Sequence, residues 1–400
     1  MLQITDLQQE QKIAPLLRLG FRPFFLFGAV LAFTTVLYWA GFLQGHVSWI
    51  PSVNPIWWHG HEMLFGFLPA IIAGFLLTAV QNWTGIPGIR AGKLGALFAL
   101  WVTARVLLFT DLGISMFAIM IIDVGFLLAS AAVLAQPVLK IKQYRNLVFV
   151  PLLTLMAVAN VVSYLPLLGL DAKFQQQGFY GMAMLVTMLV SLLGGRVVPF
   201  FTANGTGNSR LPVIMLLEVL SVVSVFTLFL YFISGVSLPP EFIAAVCFVG
   251  AIAQSLRWLR WRPFTTGQVP LLWSLHSSYV FIPIGLALMG IALLFPERFV
   301  LGHALHALTV GAMGGMILAM MARVSLGHTG RQLGAGGLMQ GAFVLVVLAA
   351  SLRSVGMFFW PQYSDVLLQA ASLFWCLSFA AYVYIYWPIL SAPRVDGKPG

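Results

Sequence analysis

Long apolar runs set the pattern of this chain. Stretches of about 17–25 mostly apolar residues are long enough to cross the hydrocarbon core of a bilayer as a helix. They recur at 24–42, 58–80, 94–110, 112–135, 147–168, 178–200, 212–234, 241–257, 271–294, 302–323, 338–360 and 365–388. The pattern predicts an all-α polytopic bundle of about twelve transmembrane helices, numbered here as spans 1 to 12. Ahead of them, Leu7 to Phe25 sets Lys12, Arg18 and Arg22 among leucines and reads as a short interfacial helix. The basic region, short apolar core and cleavage site of a signal peptide are not expected here. The predicted organisation is an interfacial segment 1–23, a single twelve-helix transmembrane domain 24–390 and a short cytoplasmic tail 391–400.

Composition agrees with the spans. Of 400 residues, 60% are hydrophobic and 8% charged, and the mean hydropathy is +0.96. A soluble enzyme would carry about three times this charge, and a membrane β-barrel would show short alternating segments. The net charge of +10 fits loops enriched in Lys and Arg better than a nucleic-acid surface. With the N-terminus inside, the inner loops hold Arg90, Lys93, Lys140, Lys142, Arg145, Arg210, Arg260, Arg262 and Arg331, whereas the outer loops hold only Lys173 and Arg298. Both termini are therefore predicted to be cytoplasmic. The run Arg257-Trp258-Leu259-Arg260-Trp261-Arg262 reads as an interfacial anchor, and no nucleic-acid partner is expected. Cys247 and Cys376 both fall inside apolar runs, which excludes a disulfide framework and a cysteine-ligated metal site.

Polar groups inside such runs are costly and mark chemistry. Span 2 opens with Trp58-His59-Gly60-His61-Glu62-Met63, and span 10 with His303 and His306; in the predicted topology all four histidines lie at the outer side. Successive helical residues turn by about 100°, so His59 and His61 diverge and serve different sites. Glu62 and Met63 follow on the His59 face and suit a carboxylate-supported or mixed His/Met site. His303 and His306 share one face and can chelate one metal, or one can ligate while the other hydrogen-bonds. Gly302, Gly311, Gly314 and Gly315 flatten span 10 for a neighbouring helix or a flat macrocycle.

Imidazole suits iron, copper and zinc, and histidines from facing helices are a usual way for a bundle to hold haem. Without Cys-x-x-Cys-His, any haem is non-covalent and of b type. By position, His61 and His306 are the best haem ligands, with His59 and His303 as copper or supporting ligands and His276 as a weaker third-site candidate. Arg105 and Arg353 either hold haem propionates or pair with buried acids such as Asp123, Glu62 or Glu218. Towards the inner side, Gly194-Gly195-Arg196 and Pro199 predict a helix break, which with Arg323, His276 and His328 would form an inner polar site or a simple span end. Thr84-Gly85 and Thr329-Gly330 follow His61 and His306 at equal distance and read as convergent helix exits.

Five motifs together carry a family resemblance: Gly20-Phe21-Arg22-Pro23-Phe24-Phe25, the His59 to Met63 stretch, Gly74-Phe75-Leu76-Leu77-Thr78-Ala79, Gly195-Arg196-Val197-Val198-Pro199-Phe200, and His306-Ala307-Leu308-Thr309-Val310-Gly311 through Met321-Ala322-Arg323. Nearly end to end, the chain resembles the NnrS family. The resemblance implies a multi-pass bacterial cytoplasmic (inner) membrane protein that contains haem and copper and is associated with denitrification and nitric oxide stress. It implies nitric oxide or a related small molecule as ligand and leaves the reaction, the electron donor and the oligomeric state open.

Three functions compete. A haem/copper protein would bind or convert nitric oxide, or limit iron–nitrosyl damage, with the neutral gas reaching it through lipid. A transporter for a metal ion or small solute would use the same histidines as a mid-membrane path. A relative of the haem–copper oxidases would need adjacent paired histidines and histidines on spans 6 or 7, which this chain lacks.

Overall fold

The computed structural model describes residues 7–400. It is 79% helical, with no strand among the described residues. Twelve helical stretches are long and apolar enough to span a membrane: Phe21–Leu43, Pro55–Thr84, Ala91–Phe109, Met116–Lys140, Tyr144–Leu168, Lys173–Thr206, Met215–Ser234, Pro240–Thr265, Pro270–Leu294, Leu301–His328, Gly337–Phe359 and Pro361–Leu390. Each overlaps one predicted run, because hydropathy over 18 or more residues leaves a helix as the only way to satisfy backbone polar groups in lipid.

Contacts divide the chain into two compact units. The first comprises the chain up to Phe179 with Val324–Gln332 and Tyr382–Gly400; the second comprises Tyr180–Arg323 with Leu333–Ala381.

Two local expectations give way. No single interfacial helix runs from Leu7 to Phe25: a helix at Leu7–Gln11 is followed by a turn at Pro15–Leu17, and span 1 starts at Phe21. Pro15 is the cause, since it cannot continue a helix through its missing N–H. Residues 1–6 of the predicted segment lie outside the described residues. The break expected at Gly194 to Pro199 is also not found, because one helix runs from Lys173 to Thr206 through Pro199. The two Thr-Gly exits behave as read, with Gly85 and Gly330 in the left-handed region at φ of 69° and 77°.

In the first unit, Arg22 explains one motif. Its buried guanidinium donates to the carbonyls of Leu390 and Ala392, both at 2.7 Å, and of Gly400 at 2.9 Å. The Gly400 amide donates to Glu10 Oε1 at 2.6 Å. Within the folded-back segment, Arg394 sits 2.6 Å from Asp396 and holds that carboxyl well below the usual carboxylate range.

Three stretches depart from α geometry into π-helix: Glu62–Phe67 in span 2, Ala307–Gly315 in span 10 and Leu352–Gly356 in span 11. Such segments lose regular i→i+4 bonding and recur at functional sites. All three begin at or beside residues singled out from sequence: His61 and Glu62, His306, and Arg353.

Candidate functional site

In the first unit, the π-turn of span 2 delivers Glu62 into a buried ionic cluster. Arg105 of span 3 donates through Nη1 to Glu62 Oε1 at 2.7 Å and through Nη2 to Asp123 Oδ1 of span 4. The ion-pair reading of Arg105 therefore describes its surroundings. Asp123 Oδ2 also accepts from Asn160 Nδ2 at 2.7 Å and from the Tyr164 hydroxyl at 3.2 Å, both on span 5. His61 Nε2 lies 3.1 Å from Asp123 Oδ2 and 3.1 Å from Asn160 Oδ1. A carboxylate only accepts, so the Asn160 amide must turn its oxygen to His61, and His61 Nε2 must carry the proton it donates.

His61 is fully buried, stacked on Trp57 with centroids 4.3 Å apart and 14° between planes, and edge-on to Tyr164. His59 points elsewhere, stacked on Trp39 at 4.8 Å and 9°. The two histidines thus diverge as the 100° rule requires. Glu62, however, joins His61 and Arg105 instead of the His59 face, because the helix widens into π geometry at Glu62. Gly66 makes space for this: a Cβ there would come 2.7 Å from Arg105 Nη1 and 2.9 Å from Glu62 Oε2. Sequence reasoning passed over Asn160 and Tyr164, yet Asn160 is a lone amide in the middle of an apolar run, the type of signal used for the histidines.

The second unit holds the other histidine pair. His306 Nδ1 lies 2.5 Å from the Gly302 carbonyl. That oxygen only accepts, so Nδ1 carries the proton and the neutral ring keeps its lone pair on Nε2. His303 is the opposite tautomer: Arg353 Nη1 donates to its Nδ1 at 3.2 Å and also contacts Met357 Sδ at 3.1 Å. Among the described residues of the second unit, Arg353 makes no ion pair with an acid; its Nη1 contacts are with His303 and Met357. Gly311, Gly314 and Gly315 receive the Phe281 ring, the Trp375 ring and Ser278, where a Cβ would come within 2.4 Å of each neighbour. They seat helices, as small residues in membrane spans usually do.

Two further polar contacts sit on span 6. His276 Nε2 bonds Thr202 Oγ1 at 2.8 Å, and the Arg323 guanidinium lies over the Phe201 ring at 3.9 Å. His328 belongs to the first unit, with its ring 5.5 Å from Phe21. Arg257, read as an interfacial anchor, is instead buried and bonded to Glu218 Oε1 and Oε2 at 2.8 and 2.5 Å, to Ser191 and to Tyr279. Glu218 lies 39 residues away and only the fold brings it near. A Cβ on Gly195 would fall 1.7 Å from Arg257 Nη2 and one on Gly194 2.9 Å from the Tyr279 ring, so the glycine pair serves packing and not a helix break. Gly195→Ala is expected to push Arg257 off Glu218 and destabilise the protein by about 1–2 kcal/mol, read as a lower midpoint in detergent-titrated unfolding.

Among the described residues, no three His, Cys, Asp or Glu side chains converge so as to hold a metal ion. For haem the donor requirement is smaller: one imidazole nitrogen with a free lone pair and a fixed ring. His306 meets the tautomer part of that requirement through Gly302.

Twelve apolar spans with ionic and imidazole groups set inside them define a multi-pass α-helical membrane protein whose polar chemistry lies within its helices. The chain belongs to the NnrS family: the family profile described as NnrS protein matches residues 15–394 of the 400. No curated protein matches it. Membership makes it a membrane protein of the nitric oxide response, in a family associated with haem and copper.

Proposed function

We propose that this chain binds a non-covalent haem through His306 Nε2 and uses it to bind or convert nitric oxide in nitrosative-stress defence. The observation that carries this reading is the His306 Nδ1 bond to the Gly302 carbonyl at the start of a π-helical stretch. It fixes ring orientation, raises ligand basicity and leaves the ligating nitrogen unprotonated. A bound haem iron supplies a coordination position for a diatomic gas. Arg353 donates to His303 and occupies its Nδ1, which keeps His303 from competing as a ligand through that nitrogen. The apolar spans admit a small neutral gas without a hydrophilic channel. The copper associated with the family is assigned to no residue set here. Cytoplasmic termini and an inner-membrane location follow from the loop charges and belong to the same proposal.

An absorption spectrum of the detergent-purified protein, oxidised and reduced, with and without nitric oxide, tests it. A haem band that shifts with nitric oxide is expected, and His306→Ala is expected to lower haem occupancy at least about tenfold while the helical circular dichroism is unchanged. Full haem retention in His306→Ala would remove the ligand assignment. A well-folded preparation without haem would favour the transporter.

A further inference from the structure

We propose that Arg22, with Arg18 and Arg331 beside it, forms a binding site for a phosphate dianion, and that the chain's own segment 391–400 is a displaceable strap lying over it. All of these residues belong to the first unit, and the site stands apart from the haem reading.

Charge is the first part of the argument. Arg22 is fully buried, and its Nε has no hydrogen-bond partner. Its other nitrogens donate to backbone oxygens of Leu390, Ala392 and Gly400. Three further guanidiniums bear on it, those of Arg18, Arg331 and Arg394, together with the carboxylate of Glu10. Arg394 is matched within the strap itself, donating to both oxygens of Asp396 at 2.9 and 2.6 Å. When the strap lifts, Gly400, Arg394 and Asp396 leave together. Arg18, Arg22 and Arg331 then remain against Glu10, three guanidiniums to one carboxylate. Buried charge of one sign is costly until opposite charge joins it. A phosphate dianion closes that difference, whereas a single carboxylate leaves half of it.

The cover over the site is lightly held. From Ser391 to Pro399 every residue is exposed or half-buried, and only Gly400 is buried. Apart from Arg22, the strap is tied by the Gly400 amide to Glu10 Oε1 at 2.6 Å, by the Val395 amide to the Thr329 carbonyl at 3.2 Å, and by Arg394 Nη1 to the His328 carbonyl at 3.0 Å. Gly330 makes room for it, since a Cβ there would come 2.7 Å from Asp396 Cγ. A segment with few buried apolar contacts and a handful of hydrogen bonds opens at small cost. Its hold on Arg22 is made through acceptor oxygens. Phosphate presents the same kind of acceptor with charge added, and a guanidinium bonds it more strongly than a neutral carbonyl. Strap and phosphate therefore compete for one set of donors.

The phosphate comes either from solution or from a lipid whose headgroup is a phosphate monoester, and the test separates the two. A spin label on Val395→Cys, an exposed strap position, reports release in the full-length detergent-purified protein, where Cys247 and Cys376 are buried. At about pH 8 inorganic phosphate is a dianion. Inorganic phosphate is added against chloride at equal ionic strength, and phosphatidate in the micelle against phosphatidylcholine. The label is expected to pass saturably from an immobilised to a mobile spectrum, with one phosphate bound per chain by calorimetry. Affinity is expected to fall at least about tenfold in Arg22→Gln. Arg331→Gln, at a half-buried position after span 10, is expected to weaken binding in the same direction and decides the matter if Arg22→Gln does not fold. Release by inorganic phosphate assigns a free anion, and release by phosphatidate alone assigns a lipid headgroup. Release by neither overturns the proposal, as does phosphate binding that leaves the label immobilised or that is equal in the wild type and the arginine variants.

Discussion

Arg105→Leu is expected to destabilise the protein by about 3–5 kcal/mol, more than any other single substitution in the first unit. The substitution keeps helix propensity and removes the only guanidinium among the described residues that pairs with Glu62 and Asp123. Breaking a buried ion pair from one side leaves the partner charge without compensation, and that is where the cost arises. Here two partners are left. Glu62→Gln should be far milder, because it keeps an acceptor oxygen for Arg105 and leaves the Arg105–Asp123 pair in place. Arg105→Lys should fall between them, since a lysine keeps the charge but not the fork that reaches both carboxylates at once. Unfolding of the purified protein with increasing denaturing detergent gives the ranking directly. Equal losses for Arg105→Leu and Glu62→Gln would show that packing, not charge, sets the stability of this region.

What the sequence made legible, and what it did not, divides along one physical line. Spans are properties of 20 neighbouring residues, so hydropathy located all twelve. Charged and imidazole groups inside apolar runs were also visible one at a time, whereas Asn160 and Tyr164 were passed over. Pairings were not visible, because they depend on which spans meet. Arg105 looked equally suited to a propionate and to Asp123. Arg257 looked like one more interfacial base, until the fold placed Glu218 and Tyr279 around it. The glycines of span 10 announced close approach without saying whose, and Phe281 and Trp375 supply the answer; those of span 6 read as a helix break and instead receive Tyr279 and Arg257. The π-turns were hidden for a different reason. A reading at 100° per residue assumes the helix it is applied to, and the side chains after His61 and His306 follow another periodicity.

Gly178→Ala is expected to cost about 3 kcal/mol, although alanine is the better helix former. Gly178 lies at the start of span 6 in the first unit. A Cβ there would come 2.6 Å from the Ser163 amide nitrogen, 2.7 Å from the Ala159 carbonyl oxygen and 2.8 Å from the Ser163 Cα. Those atoms are backbone within the span 5 helix, so no rotamer change relieves the clash, and the helices must separate. The same stretch of span 5 carries Asn160 and Tyr164, and the Ser163 carbonyl accepts the Trp57 indole N–H at 2.8 Å. Separation would therefore loosen the donors that hold Asp123 as well as the packing of two spans. Gly125→Ala is the matched control: it sits inside the span 4 helix, and its new Cβ would meet nothing within 4 Å. There the gain in helix propensity acts alone, so the variant should be neutral or stabilised by about 0.5–1 kcal/mol. Detergent-titrated unfolding of the two alanine variants side by side separates contact from propensity, and a stabilised Gly178→Ala would mean that spans 5 and 6 do not approach as closely as described.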